Sequence, residues 1–189
     1  MAQIDVLLPV YNGERYLEAS LRSIERQTFR DFRCLVLDDG STDATPEICA
    51  RFAERDKRFE TIRKDNTGLV DTLNQGLARV EAPLVARCDA DDVNVHRRFE
   101  RQAAYLDENP LSIAVGGRQY VVDEHDRMLK ISDRHRLDHV DPWSLPAQEP
   151  YLPHPFVMIR SDVLRDRAIR YRHFLHAEDA DLYWRLSRF

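Results

Sequence analysis

The sequence predicts an α/β domain: a mostly parallel sheet flanked by helices, with a short antiparallel portion towards its end. Three observations predict it. Short apolar runs alternate with amphipathic stretches at helical spacing from Ile4 to Asn109. Three of those runs lead into polar or acidic turns, as strands of a parallel sheet do at a ligand-binding rim. The composition is that of a packed domain, 43% hydrophobic and 32% charged over 189 residues, a size at which one core buries about 70% of the unfolded chain's surface.

Charge and cysteine content exclude several classes. Lys plus Arg number 28 and Asp plus Glu 33, a net charge of −5, which argues against general nucleic-acid binding. No apolar run approaches the roughly 20 residues of a membrane-spanning helix, and MAQIDVLLPV has no basic leader. The 3 cysteines, Cys34, Cys49 and Cys88, are too dispersed for a disulfide framework or a zinc cluster. A reducing cytoplasm is the expected compartment.

The elements follow in order. Ile4–Leu8 is an apolar run ending at Pro9, a buried strand. Glu14–Gln27 carries Leu17, Leu21 and Ile24 on one helical face. Phe32–Leu37 is the second strand. Asp43 or Thr45 then caps a helix with Pro46 in its first turn and Ile48, Cys49 and Phe52 inward. Phe59–Arg63 is a weaker strand, Gly68–Val80 a helix bearing Leu69, Leu73 and Leu77, and Leu84–Cys88 a fourth strand. His96–Asp107 is a helix stopped by Asn109-Pro110. Beyond Leu111 the rhythm changes. Ile113–Val122 and Met128–Ser132 read as a strand pair, 137–153 as irregular, Pro155–Arg160 as a strand, Ser161-Asp162 as a helix start and Glu178–Phe189 as a helix. The chain stops inside that helix without a stop signal, so a C-terminal segment is expected to be missing.

Three strand ends converge on one rim: Pro9-Val10-Tyr11-Asn12, Asp38-Asp39 and Asp89-Ala90-Asp91-Asp92. Clustered carboxylates repel, and a hard divalent cation with oxygen ligands, Mg²⁺ or Mn²⁺, offsets that repulsion. The chemistry such a site serves is departure of a phosphorylated group. The plainer alternative makes Asp91 or Asp92 the N-cap of the helix near His96. Asp38-Asp39-Gly40 reads as a turn or as a carboxylate accepting hydrogen bonds from a base or ribose. Glu178-Asp179 complements a helix dipole or supplies a general base for an attacking hydroxyl.

The motifs PVYNGERYLEASLRSI (9–24), QTFRDF (27–32), LDDGSTD (37–43), NTGLVDTLNQGL (66–77), LVARCDADD (84–92), LPHPFVMIRSDVL (152–164) and HAEDADLYWRL (176–186), in that order, resemble family 2 glycosyltransferases of GT-A fold and inverting mechanism. The resemblance implies a nucleotide-sugar-binding half at 1–110 and an acceptor-side half at 111–189. It implies that Pro9, Tyr11, Asn12, Asp39 and Asp89 contact the nucleotide sugar, that Asp91 ligates Mn²⁺ or Mg²⁺, and that Asp179 is the catalytic base. It further implies a nucleotide-diphosphate sugar donor and a saccharide or lipid-linked saccharide acceptor, with peripheral association at the inner membrane face left open. Leu73 stands where many relatives have an Arg, and His96 where many have a Pro. No role is assigned to His96. His154 either lines the acceptor side or is a structural histidine. Trp143 and Trp184 are sugar-stacking or core candidates, and Arg165–Arg172 is a solvated basic run. The competing classes are a nucleotidyltransferase or phosphotransferase, for which Pro9–Glu14 lacks a basic glycine-rich loop, and a truncated nucleotide-binding module without catalysis.

Overall fold

The computed structural model describes residues 2–125, 127–131, 152–174 and 177–188. Six strands form the main sheet: β1 (Ile4–Val10), β2 (Phe32–Asp38), β3 (Phe59–Arg63), β4 (Leu84–Arg87), β5 (Ala114–Val115) and β8 (Met158–Arg160), in the order β3-β2-β1-β4-β8-β5. The first four in that order are parallel. β8 runs antiparallel to both β4 and β5. A separate hairpin pairs β6 (Tyr120–Val122) with β7 (Met128–Ile131). The predicted fold class is therefore the observed one.

Alternation along the strands sorts the core into two layers. Ile4, Val6, Leu8 and Val10 of β1 pack with Cys34 and Val36 of β2 against α1 (Leu17–Glu25), α2 (Thr45–Arg55) and α4 (Arg98–Glu108). Leu7, Leu35, Leu37 and Val85 face α3 (Leu69–Leu77), α5 (Ser161–Asp166) and α6 (Glu178–Leu186). Both faces of the parallel strands are covered, which is why they read as continuous apolar runs.

Pro9 lies inside β1, which runs two residues past the predicted Leu8 end. Cys88 N donates to Leu7 O and Asp39 N to Val10 O, so odd residues of β1 bond towards β4 and even ones towards β2. The β1–β4 ladder ends at Leu7–Arg87. Pro9 thus occupies a position where no ladder N–H is needed.

The predicted strand Ile113–Val122 is divided. Ala114–Val115 joins the main sheet and Tyr120–Val122 the hairpin. The intervening Gly116 packs so close to Leu152 that a Cβ there would stand 2.9 Å from Leu152 Cδ2. The predicted strand Pro155–Arg160 is shorter, because His154–Phe156 forms a turn of 3₁₀ helix before β8. The irregular segment, Trp143 and His176 fall outside the described residues, apart from Leu152 and Pro153. Trp184 is half-buried on α6.

Candidate active site

The parallel strands deliver three loops to their common carboxyl-end rim, and side chains lock the first two together. Asn12, at φ 50°, takes Thr42 N onto its Oδ1 at 2.9 Å and donates its own N–H to Ser41 Oγ at 2.9 Å. Gly13 N donates to Thr45 Oγ1 at 2.8 Å and Glu14 N to Asp43 Oδ2 at 3.0 Å. Thr45 is therefore a bridge to the first loop. The N-cap position of α2 is Ala44, and the expected Asp43 satisfies the first helical N–H, its Oδ1 accepting Thr45 N at 3.0 Å. Tyr11 projects from this rim and is 53% exposed, leaving its ring available as a stacking surface. Pro9, two residues back in β1, is buried.

Asp39 closes the β2 end. Its Oδ1 accepts Thr67 N at 2.9 Å and a hydrogen bond from Lys64 Nζ, and its Oδ2 accepts Gly68 N at 2.9 Å. Burial pushes this carboxyl up, but Lys64 and the two amides outweigh it and hold it below its ordinary value. Gly40 next to it adopts φ +79°, and a Cβ there would stand 2.8 Å from Asn66 N, so the turn demands glycine. Asp39 thereby fixes the 64–68 loop as well as facing the rim.

The β4 end carries Asp89, Asp91 and Asp92, one oxygen of each lying within 4.8 Å of the others. The helix-cap alternative fails: α4 begins at Arg98 with Arg97 at its N-cap. Asp92 is pushed up to about 6, first by burial and then by the charges of Asp89 and Asp91. A carboxylate trio of this kind, all hard oxygen donors, fits a divalent cation. Asp89 is partly neutralised by Arg87 Nη2 at 2.5 Å, and Ser20 Oγ holds the Asp89 carbonyl at 2.8 Å.

Asp179 stands in the first turn of α6, with Asp179 Oδ2 3.8 Å from His154 Nδ1 and Oδ1 accepting Ala180 N at 2.8 Å. On its other side the His154 ring meets the buried phenol of Tyr171, Nε2 lying 3.1 Å from Oη. Burial pushes the phenol's proton affinity up, Arg87 opposes this, and the carboxylates of Asp179, Glu178 and Asp89 add to it. Asp89 and Asp179 thus act on one buried group, although their elements are far apart in sequence. Of the sequence-predicted residues, Asp89 and Asp91 gather at the β4 end, Asn12 and Asp39 lie on the neighbouring loops after β1 and β2, and Asp179, on α6, stands by His154.

Two residues went unread in the sequence. Arg98 is buried and, among the described residues, its guanidinium bonds neutral acceptors: Asn94 Oδ1, Cys88 Sγ at 3.3 Å, Arg87 O at 2.8 Å, Pro155 O at 3.0 Å and Val157 O at 3.2 Å, with Gln102 Oε1 at 3.0 Å. It fastens the acidic loop to the 154–157 segment. Arg87 is the other, and a charge interrupting the apolar run LVARC was its signal. His96 is exposed, its carbonyl accepting Thr28 N at 3.0 Å.

A parallel α/β sheet with an acidic loop at its carboxyl rim is the GT-A class of fold. The profile of glycosyl transferase family 2 matches residues 5–167, and this chain belongs to that family. It is similar to the glycosyltransferase GlyA of Streptococcus pneumoniae serotype 4, 38% identical over 126 residues that cover 67% of this chain and 18% of GlyA. Glycosyltransferase MJ1057 of Methanocaldococcus jannaschii, itself uncharacterized, is 27% identical over 188 residues, 96% of this chain and 63% of that protein. Among solved structures, S. aureus TarS 1–349 in complex with UDP-GlcNAc superposes with a TM-score of 0.76 at 25% identity, over 96% of this chain and 52% of that one. A mannosyltransferase from Pyrobaculum calidifontis in complex with GDP-Man and Mn²⁺ shares the fold, with a TM-score of 0.72 at 19% identity over 95% and 50% of the two chains. The chain spans less than two thirds of the length of each of these relatives. Among the described residues no helix is long and apolar enough to cross a membrane.

Proposed function

We propose that this chain transfers a sugar from a nucleoside-diphosphate sugar to an acceptor hydroxyl with inversion, Asp179 serving as general base. The observation that supports the reading is the Asp89–Asp91–Asp92 trio at the end of β4, joined through the Arg87 N to Val157 O hydrogen bond to the 154–157 segment, whose His154 lies 3.8 Å from Asp179. Charge on the departing diphosphate would be met by the acidic trio and the proton of the attacking hydroxyl by Asp179. The TarS complex with UDP-GlcNAc and the mannosyltransferase complex with GDP-Man and Mn²⁺ support the donor class and the metal.

Asp91, with Asp89 and Asp92 beside it, would hold Mn²⁺ or Mg²⁺. When bound, the cation neutralises charge on the leaving diphosphate. Tyr11, Asn12 and Asp39 would line the nucleotide, with Asp39 accepting from the base edge. Pro9, buried in β1, would shape the pocket floor. The Asp179 carboxylate would take the acceptor's O–H proton while the hydroxyl oxygen bonds to the anomeric carbon. The bond from that carbon to the β-phosphate oxygen would break, and its electron pair would leave with the nucleoside diphosphate.

Calorimetry with UDP-GlcNAc and GDP-mannose, each with and without Mn²⁺, tests the reading. Expected is Mn²⁺-dependent binding of at least one donor by the wild type and its loss in Asp91→Asn. Pyrophosphate release in place of nucleoside diphosphate would instead mark a nucleotidyltransferase. Binding by Asp91→Asn equal to wild type would contradict the assigned metal role.

A further inference from the structure

His154 is held in an unusual environment for a histidine beside a carboxylate. Its Nε2 lies 3.1 Å from Tyr171 Oη, while Nδ1 is buried and, among the described residues, has no hydrogen-bond partner. A buried polar nitrogen left unpaired is costly, so a partner is expected when the site is filled. The group it faces is Asp179 Oδ2, at 3.8 Å, longer than a hydrogen bond.

Tyr171 is itself fixed from behind. Asn74 of α3 clamps its peptide on both sides, with Nδ2 donating to Tyr171 O at 3.0 Å and Oδ1 accepting Tyr171 N at 2.8 Å. The phenol stays protonated because burial pushes its proton affinity up. The imidazole stays neutral because burial, and then the charge of Arg87, push it well below its ordinary value. A neutral ring has one N–H. If Nε2 carried it, the Nδ1 lone pair would point at a carboxylate. If Tyr171 donates to Nε2, Nδ1–H points at Asp179 instead. Electrostatics selects the second tautomer.

We propose that His154 is a positioning residue for Asp179: Tyr171 sets its tautomer, and Nδ1–H steadies Oδ2 so that Oδ1 is presented to the acceptor hydroxyl. The inference rests on the reading of Asp179 as the base. The 3.8 Å separation closes when acceptor and donor fill the cleft, as hydrogen bonds of ligand-free sites do. His154 neither gains nor loses a proton in the step. Tyr171 and Asn74 extend the support back into α3, two shells behind the reacting atoms.

Two measurements on the full chain test this. The first needs no substrate: ¹⁵N NMR of the histidine ring reads the tautomer. Protonated Nδ1 with unprotonated Nε2 at His154 is expected; the reverse overturns the proposal. The second compares nucleoside-diphosphate release from UDP-GlcNAc and GDP-mannose with Mn²⁺ by wild type, His154→Phe, His154→Asn, Tyr171→Phe and Asp179→Asn. His154→Phe should lower kcat about 10- to 100-fold with donor KM within about twofold. His154→Asn, whose amide nitrogen reaches the Nδ1 position, should recover part of that loss, and Tyr171→Phe should lower kcat by less. A folded His154→Phe with wild-type kcat overturns the proposal while an inactive Asp179→Asn leaves the base assignment standing. An active Asp179→Asn overturns both. If His154→Phe does not fold, His154→Asn and Tyr171→Phe decide the matter, equal wild-type kcat in both being the contradicting result.

Discussion

Arg87 Nη2 lies 2.5 Å from Asp89 Oδ1, and the charge of this buried guanidinium also bears on His154 and Tyr171. One cation therefore stands between the acidic loop and the 154–157 segment, Arg87 N donating to Val157 O at 3.0 Å. Arg87→Met leaves Asp89 uncompensated among two further carboxylates. We expect a loss of about 2–3 kcal/mol, below the 3–5 of a fully buried broken pair because Asp89 is partly solvated. Urea denaturation at neutral pH measures it.

Mutual repulsion within the Asp89–Asp91–Asp92 trio is what a bound cation relieves. Mn²⁺ at about 100 times its dissociation constant should stabilise the wild type by about 2.7 kcal/mol. Asp91→Asn should be slightly more stable than wild type without metal and gain little from it. Thermal unfolding with and without Mn²⁺ shows both effects.

Asp5 predicts a pH dependence remote from the cleft. It is 1% exposed and accepts Arg33 Nε at 2.8 Å, Arg33 Nη2 at 3.0 Å and the N–H groups of Glu81 and Ala82. Burial pushes its carboxyl up, but Arg33 and the two amides outweigh this and hold it below 3.8. The folded state thus binds the proton more weakly than the unfolded chain. Its stabilisation is complete above the unfolded value and disappears as pH falls through the depressed one. Asp5→Asn should cost about 2–4 kcal/mol at pH 7. The gap between variant and wild type should narrow as pH is lowered towards 3, read from urea midpoints across that range.

Arg98 is expected to matter for assembly of the site rather than for chemistry. Arg98→Met removes the bonds to Arg87 O, Pro155 O and Val157 O that tie the acidic loop to the 154–157 segment. Several buried acceptors lose their donor, a cost of about 3–5 kcal/mol. Hydrogen exchange at 156–158 should accelerate more than exchange in β1 and β2.

The parallel sheet was legible because strands buried on both faces leave continuous apolar runs, as Val6–Leu8 and Leu35–Leu37 do. The acidic loop was legible as three carboxylates after an apolar strand, but a helix cap explained Asp91 or Asp92 equally well in the sequence; only the start of α4 at Arg98 removes that alternative. The second half was harder to read. β5 and β8 are 2 and 3 residues long, too short for alternation to register, and Gly116 hides the break between β5 and the hairpin. Thr45 was read as a cap because Ser and Thr serve locally in that role; its partner, Gly13, comes from another loop. His154, Tyr171 and Asn74 meet only through tertiary packing, and no spacing in the sequence announces them.

The central claim is that Asp179 removes the acceptor proton while a cation-binding acidic loop meets the charge of the diphosphate. It is tested most directly by single-turnover release of nucleoside diphosphate from a donor–Mn²⁺ complex formed on Asp179→Asn. The account predicts wild-type donor affinity with turnover reduced by about 10²–10⁴-fold, the usual contribution of a general base. Turnover at the wild-type rate on a saturated Asp179→Asn complex would contradict it.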